Sequence, residues 1–229
     1  MPLPSNDSVW VVIAAYNEGT RLKNTLVELT PRYPNVVVVD DGSQDDTAAA
    51  ALSEGVWLLR HVLNCGQGAA LQTGIDFALA RGAEIVVTFD ADGQHDAADI
   101  EAMLVPIRTD RADVVLGSRF LGRTVDIPFS RWLLLKLAVL FTRIFSRIRV
   151  TDAHNGLRAL SRRAARTIRI NQERMAHASE ILDQIRQHGL RYEEAAVTVR
   201  YSADTLAKGQ SSWNAVKILS KLFLDRFVR

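Results

Sequence analysis

Two carboxylates, Asp90 and Asp92, stand two residues apart in Phe89-Asp90-Ala91-Asp92-Gly93-Gln94-His95. On an extended segment, residues i and i+2 project to the same side. With the amide of Gln94 or the imidazole of His95 close behind, they form an oxygen-rich set for Mg²⁺ or Mn²⁺, hard cations suited to a diphosphate ligand. An isolated Asp-x-Asp also occurs as a plain turn after a strand, so its company matters. Asp40 and Asp41 could bond a ribose hydroxyl or a base nitrogen, while Ser43 just after them is a credible helix cap. Tyr16, Asn17 and Glu18 close another apolar run in the same way. Asn64-Cys65-Gly66-Gln67-Gly68-Ala69-Ala70 places glycines where a helix begins and its backbone N–H groups could approach phosphate. Glycine at such a turn is often geometry alone.

The elements that must position these groups follow from the hydropathy pattern. Val9–Ala14, Val36–Val39, Val56–Leu59, Ile85–Phe89 and Val114–Leu116 are short apolar runs rich in β-branched residues. Thr20–Leu29, Asp45–Leu52, Gln67–Ala80 and Ala97–Ile107 read as helices between them. Continuous apolar strands alternating with helices predict an α/β fold with a mostly parallel sheet covered on both faces. Ligands of open α/β sheets bind beyond the carboxyl ends of the strands, where the polar clusters gather. Further on, Ser130–Ile148 reads as a cationic helix, Ala176–His188 as a helix and Arg191–Tyr201 as a strand. Ser212–Val228 reads as a terminal amphipathic helix. The expected organisation is one domain over 1–229, with a ligand-binding core at 7–125 and a second region at 126–229.

The 229 residues are 48% hydrophobic and 24% charged, which excludes disorder and a fibrous chain. Cys65 is the single cysteine, so no internal disulfide forms and a reducing compartment is expected. The opening residues lack the charged start and apolar stretch of a signal peptide. A net charge of +2 hides an asymmetry: residues 1–118 hold 7 Lys+Arg and 17 Asp+Glu, residues 119–229 hold 21 and 9. The acidic half fits cation handling and the basic half an anionic partner, although two solvated faces would give the same counts.

Ala14-Ala15-Tyr16-Asn17-Glu18, Val39-Asp40-Asp41-Gly42-Ser43, Gly66-Gln67-Gly68-Ala69-Ala70, the Asp90–His95 segment and Gly117-Ser118-Arg119-Phe120 occur in that order. Together with Asp152-Ala153-His154-Asn155-Gly156-Leu157-Arg158-Ala159 they closely resemble the family 2 glycosyltransferases, in particular the dolichyl-phosphate mannose synthase-like branch. The resemblance implies a glycosyltransferase-A fold, a UDP- or GDP-linked sugar donor, a divalent cation and inversion at the anomeric carbon. It implies that Ala15, Tyr16, Glu18, Asp41, Gln67, Asp90 and Ala91 bind the donor and that Asp90, Asp92 and Gln94 meet the metal. Arg119, Arg131 and Lys208 fall where relatives place cations for donor and acceptor phosphates. Gln67 departs from the lysine that many relatives carry there, and the sequence lacks the transmembrane helices that some relatives append.

A lipid phosphate acceptor is already anionic and needs no base, whereas a saccharide hydroxyl would need a carboxylate to take its proton. Glu180 is the first candidate base and Asp152 the second, each with a bland reading as a surface acid or an arginine partner. Residues 119–169 contain 12 Lys+Arg against Asp126 and Asp152, with Trp132, Leu133, Leu137 and Phe141 among them. That composition predicts a peripheral enzyme on the inner face of the cell membrane, or one anchored by a small membrane-protein partner. The alternative is that these helices pack on the sheet or in a homodimer interface. A haloacid-dehalogenase-type phosphatase would need its Asp-x-Asp on the first strand, nicotinamide binding would need Gly-x-Gly-x-x-Gly there, and no nucleic-acid recognition motif accompanies the basic half.

Overall fold

The computed structural model describes residues 6–125, 127–129, 132–133, 135–137, 139, 148–171 and 176–201. Arg131, Lys208, most of the Ser130–Ile148 stretch and the terminal Ser212–Val228 stretch lie outside the described residues. A short 3-10 turn, Asn6–Ser8, leads into strand β1 (Val9–Ala15), helix α1 (Gly19–Leu29), β2 (Asn35–Asp40), α2 (Thr47–Ser53) and β3 (Trp57–Arg60). Then follow α3 (Gln67–Ala80), β4 (Ile85–Asp90), α4 (Asp99–Arg108) and β5 (Val114–Val125). The chain continues through β6 (Arg158–Ser161), α5 (Arg162–Thr167), α6 (Ala176–Gln187) and β7 (Tyr192–Arg200).

The strands form one sheet in the order β3-β2-β1-β4-β6-β5-β7. Pairs β1/β2, β2/β3, β1/β4 and β5/β7 are parallel, while β6 runs antiparallel to both neighbours. Alternate side chains leave the sheet on opposite faces. Val11, Ile13, Val38, Val87 and Phe89 pack against Leu22 and Leu26 of α1 and Ile100 and Leu104 of α4. Val12, Val37, Val86 and Leu160 pack against Leu71 and Ile75 of α3 and Ile181 and Ile185 of α6. Both faces are covered, which is why the central strands read as unbroken apolar runs rather than alternating ones.

Helices α1 to α4 and strands β1 to β4 fall within a residue or two of their expected positions, and so do α6 and β7. The sequence reading did not include β6 or α5. Strand β6 opens on Arg158 and spans four residues, so it carries no hydropathy signal of its own. Helix α5 is a six-residue Arg-rich turn whose start is set by Ser161, its side chain accepting the Ala164 N–H at 3.2 Å. Strand β5 runs nine residues past Leu116, crossing an irregularity against β7 between Ser118 and Arg123.

Candidate active site

The carboxyl ends of β1, β2 and β4 meet on one edge, and three loops are laced together there. Asn17, with φ at 54°, turns the chain out of β1, and its N–H donates to Ser43 Oγ at 2.9 Å. The Glu18 N–H donates to Thr47 Oγ1 and the Gly19 N–H to Asp45 Oδ2. Glu18 also pairs with Arg21 at 2.8 Å, while Tyr16 stands 47% exposed at the rim. Gly42 has φ of 76°, and a Cβ there would press within 2.8 Å of the Leu63 backbone. That close approach lets the loop after β2 lie against the loop before α3.

The acids ending β2 are buried and saturated. Asp40 accepts from the Ser43 N–H at 2.9 Å and from Arg60 Nε at 3.0 Å. Asp41 accepts from the Cys65 and Gly66 N–H groups at 2.9 and 2.7 Å, and His61 Nδ1 lies 2.7 Å from its Oδ1. Asp41 thus holds the loop that delivers the N-terminus of α3, a job the sequence reading did not give it. The backbone of Ala15 joins in, its carbonyl accepting the Asp41 N–H.

The acids ending β4 are differently placed. Asp90 lies between His95 Nε2, 3.1 Å from Oδ2, and the Gln67 amide, which donates to Oδ1 at 3.3 Å. Burial works against its charge, but the hydrogen bond and charge of His95, with Arg158, hold its carboxyl below the usual value. Asp92 accepts one backbone N–H, that of Gln94 at 3.0 Å. Burial and the neighbouring charge of Asp90, with a smaller push from Glu18, raise its carboxyl to about 6. Two nearby carboxylates whose second proton is hard to remove are a donor set that a divalent cation relieves. Ala91 between them is buried, its carbonyl accepting Thr25 Oγ1. A cavity of about 310 Å³ opens beside Asp92, lined by Arg21, Asn24, Thr25, Glu28, Gly93 and His95.

On the other side of Asp90, the chain from Asp152 to Leu157 crosses close over the strand end. A Cβ at Gly156 would fall onto the Asp90 carboxylate, so only glycine fits without displacing it. Arg119 and Asp152 form a buried ion pair, Nε to Oδ2 at 2.5 Å. The remaining Arg119 donors reach Tyr201 Oη at 2.5 Å and the His154 carbonyl at 3.2 Å. Burial opposes the Arg119 charge, yet Asp152 and Tyr201 outweigh it and keep the guanidinium charged. Arg119 and Asp152, read separately from the sequence as phosphate cation and base, are therefore brought together and committed to each other. Glu194 of β7 accepts both the backbone N–H and the hydroxyl of Thr151, fixing the start of this segment. Burial pushes His154 down to about 4, leaving its imidazole neutral. Glu180, on α6, accepts the Asn171 N–H at 3.0 Å. Arg158 of β6 and Asn155, each 3% exposed, stand in the Asp152–Ala159 segment that carries the family resemblance, but the sequence assigns neither of them a role.

A mostly parallel sheet with acidic strand ends, an acidic pair after β4 and a glycine-led helix beside it define the glycosyltransferase-A class. Residues 10–169 match glycosyl transferase family 2, and the chain belongs to that family and is a glycosyltransferase. It is 30% identical to the UDP-N-acetylglucosamine–dolichyl-phosphate N-acetylglucosaminyltransferase of Methanococcus voltae, over 94% of this chain and 95% of that one. An undecaprenyl-phosphate mannosyltransferase of Micrococcus luteus is 36% identical over 66% of this chain and 65% of its own. Glucosyl-3-phosphoglycerate synthase of Mycobacterium tuberculosis, solved with Mn²⁺, UDP-glucose and phosphoglyceric acid, shares the fold at a TM-score of 0.68. Its identity is 20%, covering 91% of this chain and 76% of that one.

Proposed function

We propose that the chain moves a hexosyl group from a UDP- or GDP-linked donor to a polyprenyl-phosphate-type lipid, with inversion and with help from a divalent cation. The observation that carries this is the placement of Asp90 and Asp92 at the end of β4, beside the N-terminus of α3. Gly66, with φ at 93°, opens α3 on this edge, and a helix N-terminus is a favourable place for a phosphate. The names of the Methanococcus and Micrococcus relatives support a lipid phosphate acceptor. The Mn²⁺ and UDP-glucose bound by the mycobacterial synthase support the cation and the donor type.

In this reading Asp90, Asp92 and Gln94 would hold Mg²⁺ or Mn²⁺, which offsets charge on the departing diphosphate. Asp41 and the backbone at Ala15 set the nucleoside pocket, with Tyr16 and Glu18 at its rim, while Gln67 lies alongside Asp90 at the foot of α3. Arg119 holds the Asp152 segment beneath the acceptor side, and Arg131 and Lys208 supply cations for the acceptor phosphate. A phosphate oxygen attacks without a base, so the Arg119–Asp152 pair has no proton to take. Glu180 serves as base only if a saccharide hydroxyl is the acceptor.

Residues 7–125 then form the donor-binding core and 126–229 the acceptor-side region, facing the inner surface of the cell membrane. Exposed Leu121, Val125, Phe129, Trp132, Leu133 and Leu137 support that orientation, as does Lys136, whose Nζ sits 3.8 Å from the Phe120 ring centre. No helix of the described residues is long and apolar enough to cross a membrane. Transfer from a panel of UDP- and GDP-sugars to polyprenyl phosphate, in Mn²⁺ and in EDTA, tests the reading. Turnover of a nucleotide sugar only in the presence of cation and lipid phosphate is expected, and equal turnover in EDTA would contradict it.

A further inference from the structure

Three nitrogen atoms next to the acidic site, His95 Nδ1, Arg158 Nη1 and Asn155 Nδ2, are buried with no hydrogen-bond partner among the described residues, and the last two can only donate. Such orphans are rare in folded chains and call for a reason. Arg158 lies on β6 opposite Thr88 of β4, two residues before Asp90. Its side chain therefore leaves the sheet on the same face as Asp90. It lies within electrostatic reach of both Asp90 and Asp152. Asn155 immediately precedes Gly156, whose Cα abuts the Asp90 carboxylate, and its own Oδ1 is occupied by the Leu157 N–H at 2.9 Å. The spare capacity of the pair is donor capacity.

Negative charge is in excess here. Asp90, Asp92 and Asp152 stand against Arg158 and Arg119, and Arg119 is committed to Asp152 through their 2.5 Å pair. An anion placed on Arg158 would compete with Asp90 and Asp152 for its charge and carry its own desolvation cost. A neutral group with lone pairs would complete the hydrogen bonds at no charge cost. Hydroxyl oxygens are that group, and the hydroxyl-rich part of a nucleotide sugar is its hexosyl ring.

We infer that Arg158 and Asn155 bind hydroxyl oxygens of the sugar being transferred, so that Arg158 determines sugar specificity and is not a phosphate ligand. The inference rests on the nucleotide-sugar reading above. It is tested by calorimetry on the full chain with Mn²⁺, titrating UDP-glucose and GDP-mannose against UDP and GDP. Whichever nucleotide wild type prefers, Arg158→Gln is expected to weaken the nucleotide sugar about tenfold and the free diphosphate less than about twofold. Asn155→Ser removes the amide donor without adding charge and leaves a side-chain oxygen for the Leu157 N–H, so it carries the same test if Arg158→Gln does not fold. Equal losses for sugar and diphosphate would make Arg158 a phosphate ligand and overturn the inference. Unchanged binding of both would reduce the pair to internal charge balance and overturn it as well. A wild-type chain that binds neither diphosphate would overturn the nucleotide-sugar reading itself, an outcome distinct from either.

Discussion

Strands β2 and β4 flank β1, and each ends in a pair of acids, yet the two pairs live in opposite conditions. Asp40 and Asp41 are met by two backbone N–H groups from the α3 entry, one from Ser43, and side-chain nitrogens of Arg60 and His61. Asp92 has one backbone donor and a second carboxylate for a neighbour, and its proton affinity rises accordingly. The chain folds around the first pair and leaves the second in want of positive charge. Adjacency of acids in sequence does not make a cation site; what counts is whether the backbone has already supplied the donors.

Breaking the β4 pair should have the largest effect. Asp92→Asn preserves shape and removes the charge, and sugar transfer is expected to fall about 10²–10³-fold, the scale of losing one pre-set electrostatic contact. A steady-state transfer assay reads this, with a melting temperature no lower than that of the wild type showing that the fold survives. Gly156→Ala should come next, because the added methyl falls onto the Asp90 carboxylate and must turn it away from His95. A loss of about 10–10²-fold in turnover, with weakened Mn²⁺ binding, is the expected outcome of such a displacement.

The β2 pair should respond in stability rather than chemistry. Asp41→Ala leaves the Cys65 and Gly66 N–H groups without their acceptor. Each orphaned group costs about 1–3 kcal/mol, so urea unfolding should show a loss of at least about 2 kcal/mol. The smallest effect is a pH dependence. Asp92 is raised from 3.8 to about 6, so the folded chain holds its proton more tightly than the unfolded one. In the absence of cation, stability therefore falls as pH rises across that window, and the charge a cation would neutralise is fully present above it. The rise in melting temperature produced by Mn²⁺ should grow between pH 5 and pH 7, and Asp92→Asn should abolish the growth.

Much of this was legible beforehand where the signal was local. The Val36–Val39 and Ile85–Phe89 runs identify buried parallel strands, and the Asp90–His95 segment points to the site directly. What escaped depends on contacts between distant segments. Gly156 is needed because it meets Asp90, 66 positions earlier, and Thr88 Oγ1, 68 positions earlier, donates to its carbonyl at 2.7 Å. Arg158 becomes notable only once β6 is inserted antiparallel between β4 and β5. The commitment of Arg119 to Asp152, and of Asp41 to the α3 entry, likewise follows from loops that meet only in the folded chain.

The central claim is that the β4 acids are the cation-dependent half of a nucleotide site whose β2 half is prebuilt. Calorimetric titration of the full chain with UDP and GDP, in Mn²⁺ and again in EDTA, measures it most directly. The account predicts that one diphosphate binds in Mn²⁺ and that EDTA or Asp92→Asn weakens it at least about tenfold. Equal affinity in Mn²⁺, in EDTA and in Asp92→Asn would contradict it.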